Sequence, residues 1–111
     1  MKETRPWGFY RVIEETDEYK VKYIYVAAGQ RLSLQRHKHR AESWVIIHGR
    51  PFITVDDSTF MMRERESISI EKGQLHRIEA PANDYVEFIE VQTGTYFGED
   101  DIERVEDDYG R

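Results

Sequence analysis

The sequence predicts an all-β domain, a sandwich or barrel closed by antiparallel pairing. Residues that favour extended backbone (Thr, Tyr, Val, Ile and Phe) dominate, apolar runs are short, and turn-forming residues recur between them at regular spacing. Taken in order, strands are expected over 8–14 and 19–26, on either side of the Thr16-Asp17 turn, with Ala28-Gly29 ending the second. A strand over 32–39 follows. The next, 43–48, stops at Gly49-Arg50-Pro51, and Asp56-Asp57-Ser58 divides 51–55 from 59–63. Strand 67–70 leads into Lys72-Gly73, strand 76–79 into Pro81-Ala82-Asn83-Asp84, and 86–93 closes the set. Only residues 99–107 suggest a helix, and a short one.

Alternation assigns faces. Ser33, Gln35, His37 and His39 share one side of their strand, with Leu34, Arg36 and Lys38 on the other. In the last strand Val86, Phe88, Glu90 and Gln92 oppose Glu87, Ile89, Val91 and Thr93. Alternation alone does not choose which of these two faces is inside.

A chain of 111 residues makes one domain, spanning 1–111, with no repeat and no low-complexity segment. It has no cysteine, which excludes disulfides and thiolate metal sites and fits a reducing cytoplasm. The opening MKETRPWGFY lacks the apolar stretch of a signal peptide, and no run approaches a membrane span. A soluble cytoplasmic protein is expected. The formal charge is −6, of which residues 99–111, with seven acids against two bases, carry −5. A near-neutral body with an acidic tail offers no basic footprint for nucleic acid. The tail is expected to be a solvated terminus that packs back in part through Tyr96, Phe97, Ile102, Val105 and Tyr109.

The chemistry concentrates in QRHKHRAESWVIIHG, residues 35–49. In an extended strand His37 and His39 point to one face and can approach one metal ion. Glu42 lies past a short bend, with Trp44, Ile46 and His48 on its parity. His76 stands 34 residues beyond Glu42, after a turn that Gly73 can make. Three imidazoles and a carboxylate form a mixed N/O site suited to one divalent ion: Zn, Co, Mn, Ni or Fe.

These residues resemble the cupin superfamily: Gly29, then His37-x-His39, Glu42 with six residues between it and Gly49, and Gly73-x-x-His76. The segments GQRLSLQRHKHRAESW, KGQLHRIEAP, FIEVQTGTYFGEDDIERVEDDYGR and RPWGFY are similar to the type II phosphomannose isomerase family. That family occurs as a small protein or fused to mannose-1-phosphate guanylyltransferase in bacterial polysaccharide synthesis. The resemblance implies a double-stranded β-helix (jelly-roll barrel), a divalent metal on His37, His39, Glu42 and His76, and interconversion of mannose 6-phosphate with fructose 6-phosphate. The chain departs from the family at Ser43, where histidine is usual, at Glu71 (Pro), at Ala80 (Asn) and at Arg50-Pro51-Phe52 (small residues). None of these is a proposed ligand, but a histidine lost at Ser43 could remove a contact in the site.

Isomerisation moves a proton between C1 and C2, so it needs a base as well as a Lewis acid. Glu90 is the first candidate for the base and a metal-bound hydroxide the second. A surface carboxylate on an edge strand is the bland reading of Glu90. A sugar phosphate also needs a cation. Arg40, between His39 and Glu42, leads as phosphate contact and second catalytic candidate, followed by Arg77 and Lys22. Gln35 shares the histidine face and can orient a ligand or meet a hydroxyl. Trp44 is expected in the core, His48 in a structural or surface place, and Trp7, Tyr23 and Tyr25 at a sheet edge or subunit contact. Two other readings keep the fold: a non-catalytic cupin binding a sugar phosphate or sugar nucleotide, and a metal oxygenase. A homodimer is expected, with a guanylyltransferase as possible functional partner.

Overall fold

A computed structural model describes residues 1–111, and every regular element is a strand. The strands are β1 (Lys2–Arg5), β2 (Gly8–Glu15), β3 (Tyr19–Val26), β4 (Leu34–Arg36), β5 (Arg40–His48), β6 (Phe52–Val55), β7 (Ser58–Met61), β8 (Ser67–Ile70), β9 (His76–Glu79), β10 (Val86–Gly94) and β11 (Glu103–Glu106). With no helix, none is long and apolar enough to cross a membrane. Two antiparallel sheets face each other, one in the order β1-β2-β3-β10-β5-β8 and the other β11-β4-β9-β6-β7. This is the all-β antiparallel architecture the sequence predicts, in the jelly-roll form that the resemblance implies.

The core lies between the sheets, and register divides it into levels. Ile24, Phe88 and Ile46 pair side by side across β3, β10 and β5, and all three are buried. Two residues along each strand, the row is Lys22, Glu90 and Trp44; the next is Lys20, Gln92 and Glu42. Paired residues of an antiparallel ladder share a face, so one end of the interior is apolar and the other polar. The facing sheet repeats the change, with Ile53 opposite Ile78 and Val55 opposite His76.

Four expectations are corrected. Residues 99–107 form no helix: Glu103 and Arg104 pair with Arg36 and Gln35 on the free edge of β4, where a strand satisfies backbone groups that a helix would leave bare. Residues 2–5 form β1, a strand the sequence reading missed because KETR has no apolar alternation. The strand expected over 32–39 ends at Arg36, and His37–His39 is a bend. Glu90 is not on an edge strand, because β10 lies between β3 and β5. That placement also decides its face: Val86, Phe88, Glu90 and Gln92 are buried.

Candidate metal centre

The bend after β4 turns His37 into the interior and leaves His39 exposed, edge-on to Tyr96 with ring centres 6.1 Å apart. Two contacts hold it in place. Asp101 accepts hydrogen bonds from the Lys38 and His39 backbone N–H groups at 3.0 and 2.9 Å, and Gly94 admits the His39 carbonyl where a Cβ would lie 2.1 Å from that oxygen. Opposite, the Gly73 N–H donates to the His37 carbonyl at 2.9 Å, tying the turn before His76 to the bend. Gly73 has φ 82°, the left-handed conformation glycine adopts without strain.

Three ligating groups therefore meet: His37, Glu42 and His76, all buried, with one donor atom from each within 4.8 Å of the others. His37 Nδ1 lies 2.6 Å from the Asp101 backbone carbonyl and His76 Nδ1 lies 3.0 Å from that of Gln74. A carbonyl only accepts, so in each neutral ring Nδ1 carries the hydrogen and Nε2 presents its lone pair inward. The two Nε2 atoms stand 3.1 and 3.7 Å from the Glu42 carboxylate oxygens. Lone pairs facing a carboxylate need a cation among them. Arg40 supplies one, its Nε donating to Glu42 Oε2 at 3.0 Å and its Nη2 reaching His37 Nε2 at 3.2 Å. It does not reach His76, whose Nε2 is buried without a partner. An orphaned buried nitrogen of this kind is destabilising by about 1–3 kcal/mol, and a metal ion relieves it.

The donor set of two imidazoles and a carboxylate fits one borderline divalent ion. His39 lies outside this group. Burial alone would raise the Glu42 carboxyl, but His37, His76 and Arg40 outweigh it and hold the group well below the usual carboxylate range. Burial lowers His76, against the pull of Glu42.

Glu90 completes the wall. The Trp44 indole N–H is shared between Glu42 Oε1 at 2.9 Å and Glu90 Oε1 at 3.1 Å, and Gln92 donates to Glu90 Oε2 at 2.8 Å. Burial, with the charge of Glu42 beside it, pushes the Glu90 carboxyl up to about 8, while Lys22 and Arg40 pull the other way. Trp44 is thus core, as expected, and also the link between the two carboxylates, a role its apolar neighbours Val45 and Ile46 did not signal.

His37, Arg40 and Glu90 line a cavity of about 110 Å³, together with Gln35 and Lys22. A wider hollow of about 870 Å³ lies on the other side of the bend, bordered by Lys38, His39, Tyr96 and Asp101. Of the three ligating residues His37 lines both cavities, its Nε2 edge facing Glu42 and its Nδ1 edge the Asp101 carbonyl.

The cations differ from expectation. Arg40 is buried against Glu42 instead of standing at the mouth. Lys22 faces inward but is bonded to Glu99 at 2.8 Å. Arg77, next to His76 on β9, points to the opposite face, where it donates to the Leu32 carbonyl at 2.9 Å and to the Glu106 side chain at 2.8 Å. It is part of the frame. Gln35 pairs with His76 across β4 and β9 and accepts from Ser33 at 2.8 Å. Asp101 and Glu99 escaped the sequence reading, because two acids within an acidic run carry no local sign of inward placement, and Gln92 was placed on the Glu90 face without a role.

Residues 1–107 match the family described as mannose-6-phosphate isomerase C-terminal. The chain belongs to this family. Among curated relatives, the alginate biosynthesis protein AlgA of Pseudomonas aeruginosa is 49% identical over 107 residues, covering 96% of this chain and 22% of that protein. Mannose-1-phosphate guanylyltransferase of Escherichia coli is 45% identical over the same length, with the same coverage. The chain thus spans about a fifth of the length of the relatives it matches. Among solved structures, oxalate decarboxylase from Bacillus subtilis superposes with a TM-score of 0.82 at 20% identity, covering 95% of this chain and 30% of that one. A cupin-2 domain protein from Rhodospirillum rubrum gives 0.72 at 21% identity, covering 84% and 67%. The fold of the family member described here is therefore the cupin double-stranded β-helix.

Proposed function

We propose that this domain is a metal-dependent isomerase interconverting mannose 6-phosphate and fructose 6-phosphate. The reading rests on one observation above all: His37, Glu42 and the unpartnered Nε2 of His76 converge, with Glu90, whose carboxyl is pushed up to about 8, beside them. His37, Glu42 and His76 would hold the divalent ion. When bound, that ion supplies Lewis-acid polarisation of a sugar carbonyl and its neighbouring hydroxyl.

The chain's own residues do the rest. Glu90, as carboxylate, accepts the proton from C2 of the aldose and returns it to C1 of the enediol, while the hydroxyl proton on O2 passes to O1, giving the ketose; the reverse direction uses the same group. Its raised carboxyl makes both protonation states accessible near neutrality. Trp44 and Gln92 fix the orientation of its two oxygens. Arg40, which donates to Glu42 and reaches the His37 Nε2 that an ion would take up, is the cation nearest the ligating atoms.

The departure at Ser43 leaves this site intact. Ser43 is exposed on the outer face of β5, 3.4 Å from the Ser69 hydroxyl, so a histidine there would not enter the cavity. The relatives' names and the short span of the match support a setting beside a mannose-1-phosphate guanylyltransferase in GDP-mannose and polysaccharide synthesis. A homodimer through the aromatic outer face of the larger sheet belongs to the same reading.

A coupled assay of purified protein with mannose 6-phosphate, with Co, Mn or Zn added and after EDTA, tests it. Turnover that EDTA abolishes and metal restores is expected. Tight binding of sugar phosphate without turnover would instead make this a binding module, and oxygen uptake with an organic acid would make it an oxygenase.

A further inference from the structure

We propose that Arg104, flanked by Arg5 and Arg111, forms an anion subsite that takes the phosphate monoester of the substrate at the mouth of the charged cavity. The proposal deepens the isomerase reading, on which its choice of ligand rests.

Strand pairing places Arg104 on the cavity side of β11, where it stands exposed at the rim. It lies opposite Gln35 on β4, and Gln35 lies opposite His76 on β9. Directly paired residues share a face, so Arg104, Gln35 and His76 form one row. Two strand spacings put the Arg104 backbone about 10 Å from that of His76. The phosphate of a hexose 6-phosphate hangs at the far end of the sugar from the carbons that react, so one ligand spans both ends of this row.

Charge in the cavity exceeds its local compensation. Five cationic side chains, Arg5, Lys22, Arg40, Arg104 and Arg111, line it against two carboxylates, Glu90 and Glu99, in a chain whose net charge is −6. Glu99 is taken up by Lys22 at 2.8 Å and Lys20 at 3.5 Å. Arg40 is held by Glu42, Arg111 by Asp107 at 3.1 Å, and Arg5 donates to the Tyr10 hydroxyl at 3.2 Å. Arg104 has neither an ion pair nor a side-chain hydrogen bond, and burial together with Arg111 beside it disfavours its charged form. A planar guanidinium fork crowded by other cations is suited to a doubly charged monoester, which accepts from several donors at once.

The test titrates the full chain and its Arg104→Gln and Arg104→Lys variants with mannose 6-phosphate, inorganic phosphate and unphosphorylated mannose, with calorimetry as readout. Arg104→Gln is expected to weaken mannose 6-phosphate and inorganic phosphate about tenfold or more. Arg104→Lys should fall between, with mannose affinity and bound metal unchanged. Where the glutamine variant melts early, the lysine variant, which keeps the charge and loses the fork, decides. Equal affinity for mannose 6-phosphate in wild type and both variants, or no phosphate binding to wild type, overturns the subsite. Arg104-dependent phosphate binding without conversion to fructose 6-phosphate overturns the isomerase reading and leaves the subsite standing.

Discussion

His37 and His76 use one device twice: each donates its Nδ1 hydrogen to a backbone carbonyl, so its Nε2 lone pair is directed at Glu42. This orientation comes from the main chain and is set before any ion arrives. Removing a ligand therefore differs from removing a support. His76→Ala should abolish stoichiometric metal binding, read by elemental analysis of dialysed protein. Asp101→Ala should keep all three ligands yet lower metal affinity about 10–100-fold, because the bend it holds is what aims His37. Competition with a chelating dye measures that difference. Glu90→Gln keeps the hydrogen bonds in outline and removes the base. It should lower kcat about 10²–10⁴-fold with metal content unchanged, whereas an equal loss of metal would assign Glu90 to the ligand set.

At the scale of elements, the C-terminal strand closes the site. β11 and the residues around it are fastened by Arg31 to Asp108 at 2.7 Å, Arg36 to Glu103 at 2.8 Å and Arg77 to Glu106 at 2.8 Å. The Arg31 guanidinium holds Asp108 below its ordinary value, with Arg77 adding to the effect and Asp107 opposing it; Arg36 does the same for Glu103, assisted by Lys38. A carboxylate depressed in the folded state adds stability that is fully present above its unfolded value. That stability is lost as pH falls through the folded one. On acidification below the ordinary carboxylate range of about 4 to 4.5, the segment from Gly98 onward should release before the barrel opens. Hydrogen exchange at pH 3, resolved by peptide, should show fast exchange there and protection in β3, β5 and β10. Uniform loss across all strands would refute a separable closing strand. Most of these pairs are exposed, so each contributes little alone, and the segment depends on their number.

The whole molecule is organised by the boundary between its apolar and polar levels. Phe88, fully buried and centred between Ile24 and Ile46, belongs to the apolar level. Phe88→Ala should lower stability by about 3–5 kcal/mol in a denaturant titration and loosen the floor beneath Trp44, whose ring centre is 5.2 Å away. Outside, the larger sheet carries a row of stacked rings: Phe9 on Tyr25 at 5.1 Å, Tyr25 on Tyr85 at 5.3 Å and Tyr85 on His48 at 4.1 Å. Val45 and Ile47 are exposed on the outer face of the neighbouring strand. If this face joins two copies, sedimentation equilibrium should give twice the chain mass for wild type and the chain mass for Ile47→Asp. A wild-type monomer would overturn the homodimer.

Much of this was legible in the chain itself. The strands at Tyr19–Val26, Ser67–Ile70 and His76–Glu79 have the bounds their turn signals predict, because local alternation and turn chemistry act within a few residues. That His37, Glu42 and His76 come together could likewise be expected from residue type and spacing. The tertiary structure decided the rest. It placed His39 on the outside of a bend, Arg77 on the frame, Arg40 on the ligands, and Asp101 and Arg104 from the acidic tail at the site. Each of these depends on which strands become neighbours. Pairing of β11 with β4 joins residues some 70 positions apart, and no local pattern encodes a contact whose partner lies at the other end of the chain.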